Sequence, residues 1–394
     1  MRILYLSHIL PVSETTGDLR HYRFLKGLAR KNLVRLLVCT SQITWTSEDI
    51  RRLEDFVNGI EVIQLKPPCA SKVTRFTNRM LWSLSFNVEP WWLDYDFEKA
   101  LIRSIENFQP DVIHANMPTA RHCFRIKGIP MVVDICDAVS LQSPLHGGWL
   151  RSRWWLKGYR EMEVFIGSFA DKVLVISERD AAAINCPRRK IAVVPNGVDL
   201  EYYQPCEKMY DRHMVCFVGA MDYLPNVDAA VYFASKVWPL VREVSPSAKA
   251  YIVGKNPLPV VQKLHGRNGI VVTGTVDDVR PYIWRCATTV APLRFASGMQ
   301  NKVLQSLAMG VPVVMTPAAN GGIGACEENG VIVTSDPNGM AEAIVCLMRD
   351  SKRRKTLGML GRHYVEKNFT WERSIDSLEA VYHEVLGNRA AMVA

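Results

Sequence analysis

Short apolar runs rich in valine and isoleucine alternate along this chain with amphipathic stretches of helical length, and that alternation constrains the fold more than any other feature. It is the pattern of parallel sheets covered by helices. Strands are expected at Arg2–Ser7, Leu33–Thr40, Ile60–Leu65, Asp111–Ala115, Met131–Asp134, Lys172–Ile176 and Ile191–Val194. A second set is expected at Met214–Gly219, Ala248–Val253, Ile270–Thr273, Thr288–Ala291, Val311–Met315 and Val331–Val333. The fold class is therefore α/β, with two doubly wound, Rossmann-like parallel sheets. Between them residues 195–213 carry turn residues, exposed aromatics and charges without periodicity, which places the domain boundary there. Ligands of such sheets bind outside the carboxyl ends of the strands, so two such domains are expected to face each other across a cleft. The stretch Trp371–Leu386 has Ile375, Leu378, Val381, Tyr382 and Val385 at helical spacing and reads as a separate amphipathic helix.

A length of 394 residues is enough for two domains with their own cores. The ten cysteines are scattered singly, with no Cys-x-x-Cys pair and no zinc-ligand spacing, and read as buried thiols in a reducing compartment. The apolar start MRILYLSHILP is interrupted by Ser7 and His8 and followed by no small-residue cleavage site, so a first strand is expected rather than a signal peptide. No apolar window approaches the length of a spanning helix. A cytoplasmic protein, with contact to the inner face of the plasma membrane, is the expectation. Of the net charge of +9, residues 1–190 carry +7, from 27 Lys+Arg against 20 Asp+Glu. A basic half draws anionic partners. Nothing marks nucleic acid as one of them.

The segment most informative about chemistry is APLRFASGMQNKVLQSLAMGVPVVMT, Ala291 to Thr316, which reads as strand, glycine-containing loop, helix, glycine and strand. A helix opening near Gly298 offers free backbone N–H groups and its positive dipole end to a diphosphate, with Lys302 and Arg294 as nearby charges. An ordinary strand-to-helix turn is the alternative on local sequence alone.

Gly298, Gln300, Asn301, Lys302, Ala308, Gly310, Pro312 and Val313 resemble the donor-site helix of the retaining family-4 glycosyltransferases of the GT-B fold. The likeness is to the polysaccharide-type branch that shares GxQNKVL and FxGxMxYxPN motifs. The second of these matches Phe217, Gly219, Met221, Tyr223, Pro225 and Asn226. The run Val194 to Asp199 at the junction, Val175, Ser177 and Glu178, Gly17 after the first strand, and Phe369 to Glu372 also fit in order, so the resemblance spans essentially the whole chain.

This resemblance implies an acceptor-side domain over 1–195, a donor-binding domain over 196–370 and a helix and tail, 371–394, packing back toward the first. It implies transfer of a sugar from a nucleotide diphosphate donor, UDP- or GDP-linked, with retention of configuration and without an essential metal or other cofactor. The acceptor would be a glycan or a lipid-linked glycan, in surface or exopolysaccharide synthesis. Charge developing on the departing diphosphate would be met by Lys302, Arg294 and the helix end at Gly298, with Gly219, Asn301 and Gln305 completing the donor site. The chain departs from the family where a glutamate pair is usual, with Ser297 and Gln305 in those places, and Gln305 offers a neutral amide to a ribose hydroxyl. The family's frequent arginine and lysine after the first strand of this domain are Ala220 and Asn226.

In the first domain Gly17 stands where the loop after the first strand enters a helix, and a glycine there lets backbone approach the diphosphate from the other side. Asp137, beside Cys136 where many relatives have a histidine, is a candidate general base or donor-sugar contact, against the alternative of a loop-bracing aspartate. His114 is a second candidate, with a buried core histidine as its alternative. Two stretches, Lys72–Trp92 and Gly147–Arg160, interleave basic residues with tryptophan, the composition of a peripheral membrane contact or of ordinary helices with a solvated basic face. Two rival functions stand beside the transferase. One is a GT-B-fold binding partner whose chemistry went with the two glutamates; the other is a nucleotide-sugar epimerase, which lacks a convincing carboxylate group here.

Overall fold

The structure, a computed structural model, describes residues 1–12, 19–40, 45–64, 95–138, 141, 149–206, 211 and 213–393. Gly17 and the segment Lys72–Trp92 lie outside the described residues, as do Gly147, Gly148 and the side chains of Trp149, Arg151, Arg153, Trp154 and Trp155. The chain divides into two compact units, Met1–Val194 with Ser374–Ala394, and Pro195–Arg373.

In the first unit the strands are β1 (Arg2–Ser7), β2 (Leu33–Thr40), β3 (Ile60–Gln64), β4 (Val112–Asn116), β5 (Met131–Cys136), β6 (Lys172–Val175) and β7 (Ile191–Val193). They form one sheet in the order β3-β2-β1-β4-β5-β6-β7, every described pairing parallel. The near-continuous Val, Ile and Leu of β1, β2, β4 and β5 follow from burial on both faces, since helices cover a parallel sheet from above and below. The covering helices include α1 (Leu19–Leu28), α2 (Ser47–Glu54), α3 (Tyr95–Phe108) and α4 (Trp149–Phe169). Thr46 caps α2 in a reciprocal capping box with Asp49.

β4 and, in the second unit, the strand Ile270–Gly274 each run one residue past their expected ends, and β5 runs two. The alternation of β5 was expected to stop at Asp134, but the strand continues to Cys136 through a bulge against β6. The bulge holds Cys136 in the left-handed region, φ 62°, and its N–H is taken by the Asp134 carboxylate at 3.0 Å. A non-glycine residue adopts that conformation only where its surroundings over-determine it.

The second unit has β8 (Met214–Val218), β9 (Lys249–Val253), β10 (Ile270–Gly274), β11 (Thr288–Ala291), β12 (Val313–Met315) and β13 (Val331–Val333), in the order β10-β9-β8-β11-β12-β13, again all parallel. Its helices include α5 (Leu224–Tyr232), α6 (Asn301–Ala308), α7 (Pro337–Arg349) and α8 (Ser351–Asn368). Val198 bridges to Thr370, and its N–H donates to the Phe369 carbonyl at 2.9 Å, so the residues opening this unit lie along those closing it. The last helix, α9 (Trp371–Val393), lies from Ser374 onward in the first unit, where Leu378, Tyr382 and Val385 are buried.

Candidate functional site

In the second unit the strand order reverses between β8 and β11, and the carboxyl ends of these two strands are where a ligand of such a sheet sits. The chain leaves β8 at Gly219, whose N–H donates to the Val253 carbonyl at 3.0 Å. Next to it Gly254, φ +153°, approaches so closely that a Cβ there would lie 1.7 Å from the Gly219 carbonyl oxygen. Only glycine fits, because the obstacle is backbone and cannot rotate away. Gly254→Ala is expected to lower stability by about 3 kcal/mol or more and to weaken nucleotide binding with it. Urea denaturation followed by nucleotide titration checks both; an alanine variant of wild-type stability would show that the β8 and β9 ends are not held in this way.

Two residues from distant parts of the unit converge on this strand end. Asn226, buried on the first turn of α5, donates its amide to the Ala220 carbonyl at 2.9 Å. Its Oδ1 accepts a short hydrogen bond from Lys302 Nζ. Lys302 lies on the first turn of α6, half-buried, 5.1 Å above the Phe217 ring of β8. Burial pulls its pKa down to about 7. A lysine held beside a strand end, with a neutral amide as its partner in place of a carboxylate, has no carboxylate competing with an arriving anion for it.

The amino end of α6 faces the same region. Its N-cap, Gln300, makes no side-chain capping bond, and its amide turns instead to the Ser297 carbonyl at 3.3 Å. Gly298 before it is left-handed, φ 59°, which sets the turn into the helix. Asn301 Oδ1 accepts from Asn196 Nδ2 at 3.3 Å. One turn further along, Gln305 is half-buried and its amide has no hydrogen-bond partner among the described residues. Ser297 is buried.

Arg294, in the loop after β11, is bound by Asp228 of α5 through an ion pair that includes Nε to Oδ2 at 2.8 Å, and its guanidinium lies 5.5 Å over the Tyr232 ring. It reaches an anion only by sharing itself with that carboxylate. The structure therefore brings Gly219, Lys302, Asn301 and Gly298 together around the β8 and β11 ends and places Arg294 there in an existing pair. Sequence reading did not find Asp228, nor that Asn226 would be the partner of Lys302. Nothing in the pattern of α5 reveals contacts 66 and 76 residues away.

In the first unit, Asp137 is half-buried directly after the left-handed Cys136. Behind it lies a buried ion pair, Arg20 Nε to Asp134 Oδ2 at 2.7 Å. Arg20 also donates to the Val194 carbonyl at 2.9 Å, so one guanidinium ties α1 to the ends of β5 and β7. The pair holds the Asp134 carboxyl down to about 2 against the upward pull of burial. His114, in the middle of β4, has no exposed surface. It stacks on Tyr5, ring centroids 4.2 Å apart, and bonds through Nδ1 to the Tyr382 hydroxyl of α9 at 2.7 Å. Burial lowers its pKa to about 3, so it is neutral, and these surroundings are those of a core histidine. Of the Gly147–Arg160 segment, Lys157 and Arg160 are exposed on α4. Among the described residues no group of histidine, cysteine and acidic side chains is arranged to hold a metal ion, and no helix is long and apolar enough to cross a membrane.

Comparison with known proteins covers both units. Residues 22–202 match the family model described as Glycosyltransferase Family 4, and residues 212–350 match Glycosyl transferases group 1. An uncharacterized glycosyltransferase of Methanocaldococcus jannaschii is 26% identical over 299 residues, covering 71% of this chain and 77% of its own length. A lipopolysaccharide core biosynthesis mannosyltransferase of Rhizobium leguminosarum is 24% identical over 236 residues, 55% of this chain and 66% of that one. Among solved structures, a sucrose-phosphate synthase from Thermosynechococcus elongatus superposes with a TM-score of 0.73 at 15% identity, covering 98% of this chain and 100% of that chain. Anabaena HepE in complex with UDP and glucose superposes with a TM-score of 0.69 at 16% identity, covering 97% and 99%.

Proposed function

The chain is a glycosyltransferase of the GT-B fold, and from that premise we propose that it moves a sugar from a nucleoside diphosphate donor to a glycan or lipid-linked acceptor with retention of configuration. The observation that carries this reading is Lys302 seated on Asn226 at the end of β8, beside the uncapped start of α6. The diphosphate would lie against Lys302 and the first N–H groups of α6, which together meet the charge that grows on the leaving oxygen without need of a metal. Gly219 leaves room for the nucleotide, Asn301 borders the phosphates and Gln305 reaches a ribose hydroxyl. Structures of HepE with UDP, with UDP and glucose and with UDP-glucose support a uridine donor. In the first unit, which would receive the acceptor, Asp137 is the candidate general base toward the attacking hydroxyl. A synthesis of surface or exopolysaccharide at the inner face of a membrane, met through the basic residues of α4, completes the reading.

Ser297 and Gln305, in the places of the family's two glutamates, favour a second reading in which the donor is bound and not turned over. One experiment separates the two. Thermal-shift measurements with UDP, GDP, TDP and CMP and their sugars are expected to show a selective rise with one nucleotide, by the mass action of a ligand that binds only the folded state. Release of free sugar from that donor then marks an enzyme. Stabilisation without hydrolysis or transfer marks a binding protein, and no shift with any nucleotide overturns the donor site itself.

A further inference from the structure

The first unit has its own reversal of strand order, between β1 and β4, and the carboxyl ends of those strands form a second place where a ligand of a parallel sheet sits. The residues there are Ser7, which ends β1, His8 directly after it, and Asn116, which ends β4. Ser7 and Asn116 are buried, while His8 is half-exposed.

Hydrogen bonds around His8 determine which of its ring nitrogens carries the proton. Ser7 Oγ donates to the Ile9 carbonyl at 2.6 Å, so toward Asn116, 3.4 Å away, it can only accept. The Asn116 atom that faces it is therefore the amide nitrogen. At the other end of the same amide, Thr119 Oγ1 lies 2.9 Å from Asn116 Oδ1, with one proton to share among that oxygen and the carbonyls of Asn116 and Leu6 at 3.1 and 3.3 Å. With its orientation set by Ser7, Asn116 Nδ2 donates to His8 Nδ1 at 2.6 Å. Burial lowers the pKa of His8, and the amide contact offsets only part of that, so the ring is neutral at neutral pH. A neutral imidazole whose Nδ1 accepts must carry its proton on Nε2. Nε2–H has no hydrogen-bond partner among the described residues.

We propose that His8, held in this tautomer by Asn116, is a binding contact of the first unit that donates Nε2–H to a hydroxyl oxygen of the acceptor sugar. In this role histidine is a hydrogen-bond donor and does not remove a proton from the attacking hydroxyl. The proposal rests on the reading of the first unit as the acceptor side.

Its test begins with nitrogen NMR of the full chain labelled at histidine, with His8→Ala supplying the assignment. Near neutral pH the His8 signal is expected in the Nε2–H tautomer. Asn116→Asp, whose carboxylate can only accept, is expected to move the proton to Nδ1. Methyl α-glucopyranoside and methyl α-mannopyranoside, titrated as minimal hydroxyl probes, are expected to shift the His8 Nε2 signal, and UDP alone is not. In activity, His8→Ala is expected to raise the KM of the glycoside in transfer from UDP-glucose roughly fivefold to tenfold, the loss of one hydrogen bond. An Nδ1–H tautomer in the wild type, a His8 signal indifferent to both glycosides, or one that answers to UDP overturns the proposal. If the wild type neither hydrolyses nor transfers, the proposed function fails, and the tautomer and glycoside titrations still decide the fate of His8.

Discussion

Lys302→Ala is expected to lower kcat/KM for the donor by about a hundredfold to a thousandfold and to remove the thermal stabilisation by nucleotide, the scale seen when one preorganised donor to a developing negative charge is lost. The unliganded variant is expected to melt no lower than wild type, because a lysine whose pKa is pulled down to about 7 by burial is itself held at a cost. That combination, lost binding with stability kept, separates a phosphate contact from a packing role. The same depressed pKa has a sign that can be checked. Near pH 7 part of the Lys302 population is neutral, and an arriving diphosphate favours the charged form, so binding takes up a fraction of a proton and weakens as pH rises above 7. Calorimetric titration in two buffers of different ionisation enthalpy measures that uptake directly. Binding without proton exchange, or a variant that melts early and still binds, would remove Lys302 from the donor site.

The second large effect is expected in the first unit. Arg20→Ala leaves Asp134 buried without its partner and is expected to destabilise that unit by about 3–5 kcal/mol. Replacing the two together, Arg20→Met with Asp134→Leu, is expected to recover most of the loss, because neither charge then remains to be desolvated. What stays lost is the acceptor of the Cys136 N–H and the donor to the Val194 carbonyl, about 1 kcal/mol each. Denaturant unfolding of wild type, single and double variants makes the comparison, and a double variant as unstable as Arg20→Ala would mean that packing and not charge dominates at this position.

Acid unfolding carries the same signature. Asp134, lowered to about 2, contributes stability that is complete above its unfolded pKa near 4 and is lost as pH falls through 2. His21, buried on α1 against the Tyr5 hydroxyl, and His114 are lowered by burial to about 4 and about 3 and act in a higher window. The unfolded chain takes up protons at these histidines below about pH 6.5 and the folded chain does not, so stability falls as pH drops from there toward 4.

The strands were legible because each is a local pattern. Runs such as Met-Val-Val-Asp at 131–134 or Val-Cys-Phe-Val at 215–218 carry the β-branched and apolar content of a doubly covered sheet in their own residues. The glycine turn into α6 around Gly298 and Lys302 was legible for a similar reason, since the strand, glycine loop and helix follow one another within a few residues. Contacts between distant residues left no such trace. Asn226 looks in sequence like a helix-start residue and becomes the partner of Lys302 only when α5 and α6 meet at β8. Arg294 looks like a free cation until Asp228 appears beside it. The extension of β5 depended on the Asp134 carboxylate reaching forward to Cys136, which alternation of apolar and polar residues does not encode. His114 could be read either as chemistry or as core, and the tyrosine that bonds it is 268 residues further on.

That last distance bears on how the protein is made. The first unit draws on Met1–Val194 and again on Ser374–Ala394, while the second is one uninterrupted run, Pro195–Arg373. During synthesis the first sheet emerges early, yet the tyrosine that covers His114 leaves the ribosome only after the whole second unit has been translated. At roughly 5–20 residues per second that delay is on the order of ten to forty seconds. Through this interval the nascent first unit exposes the strip where α9 will pack, and the second unit, started later, has all its own residues first. The half begun first is thus the half completed last.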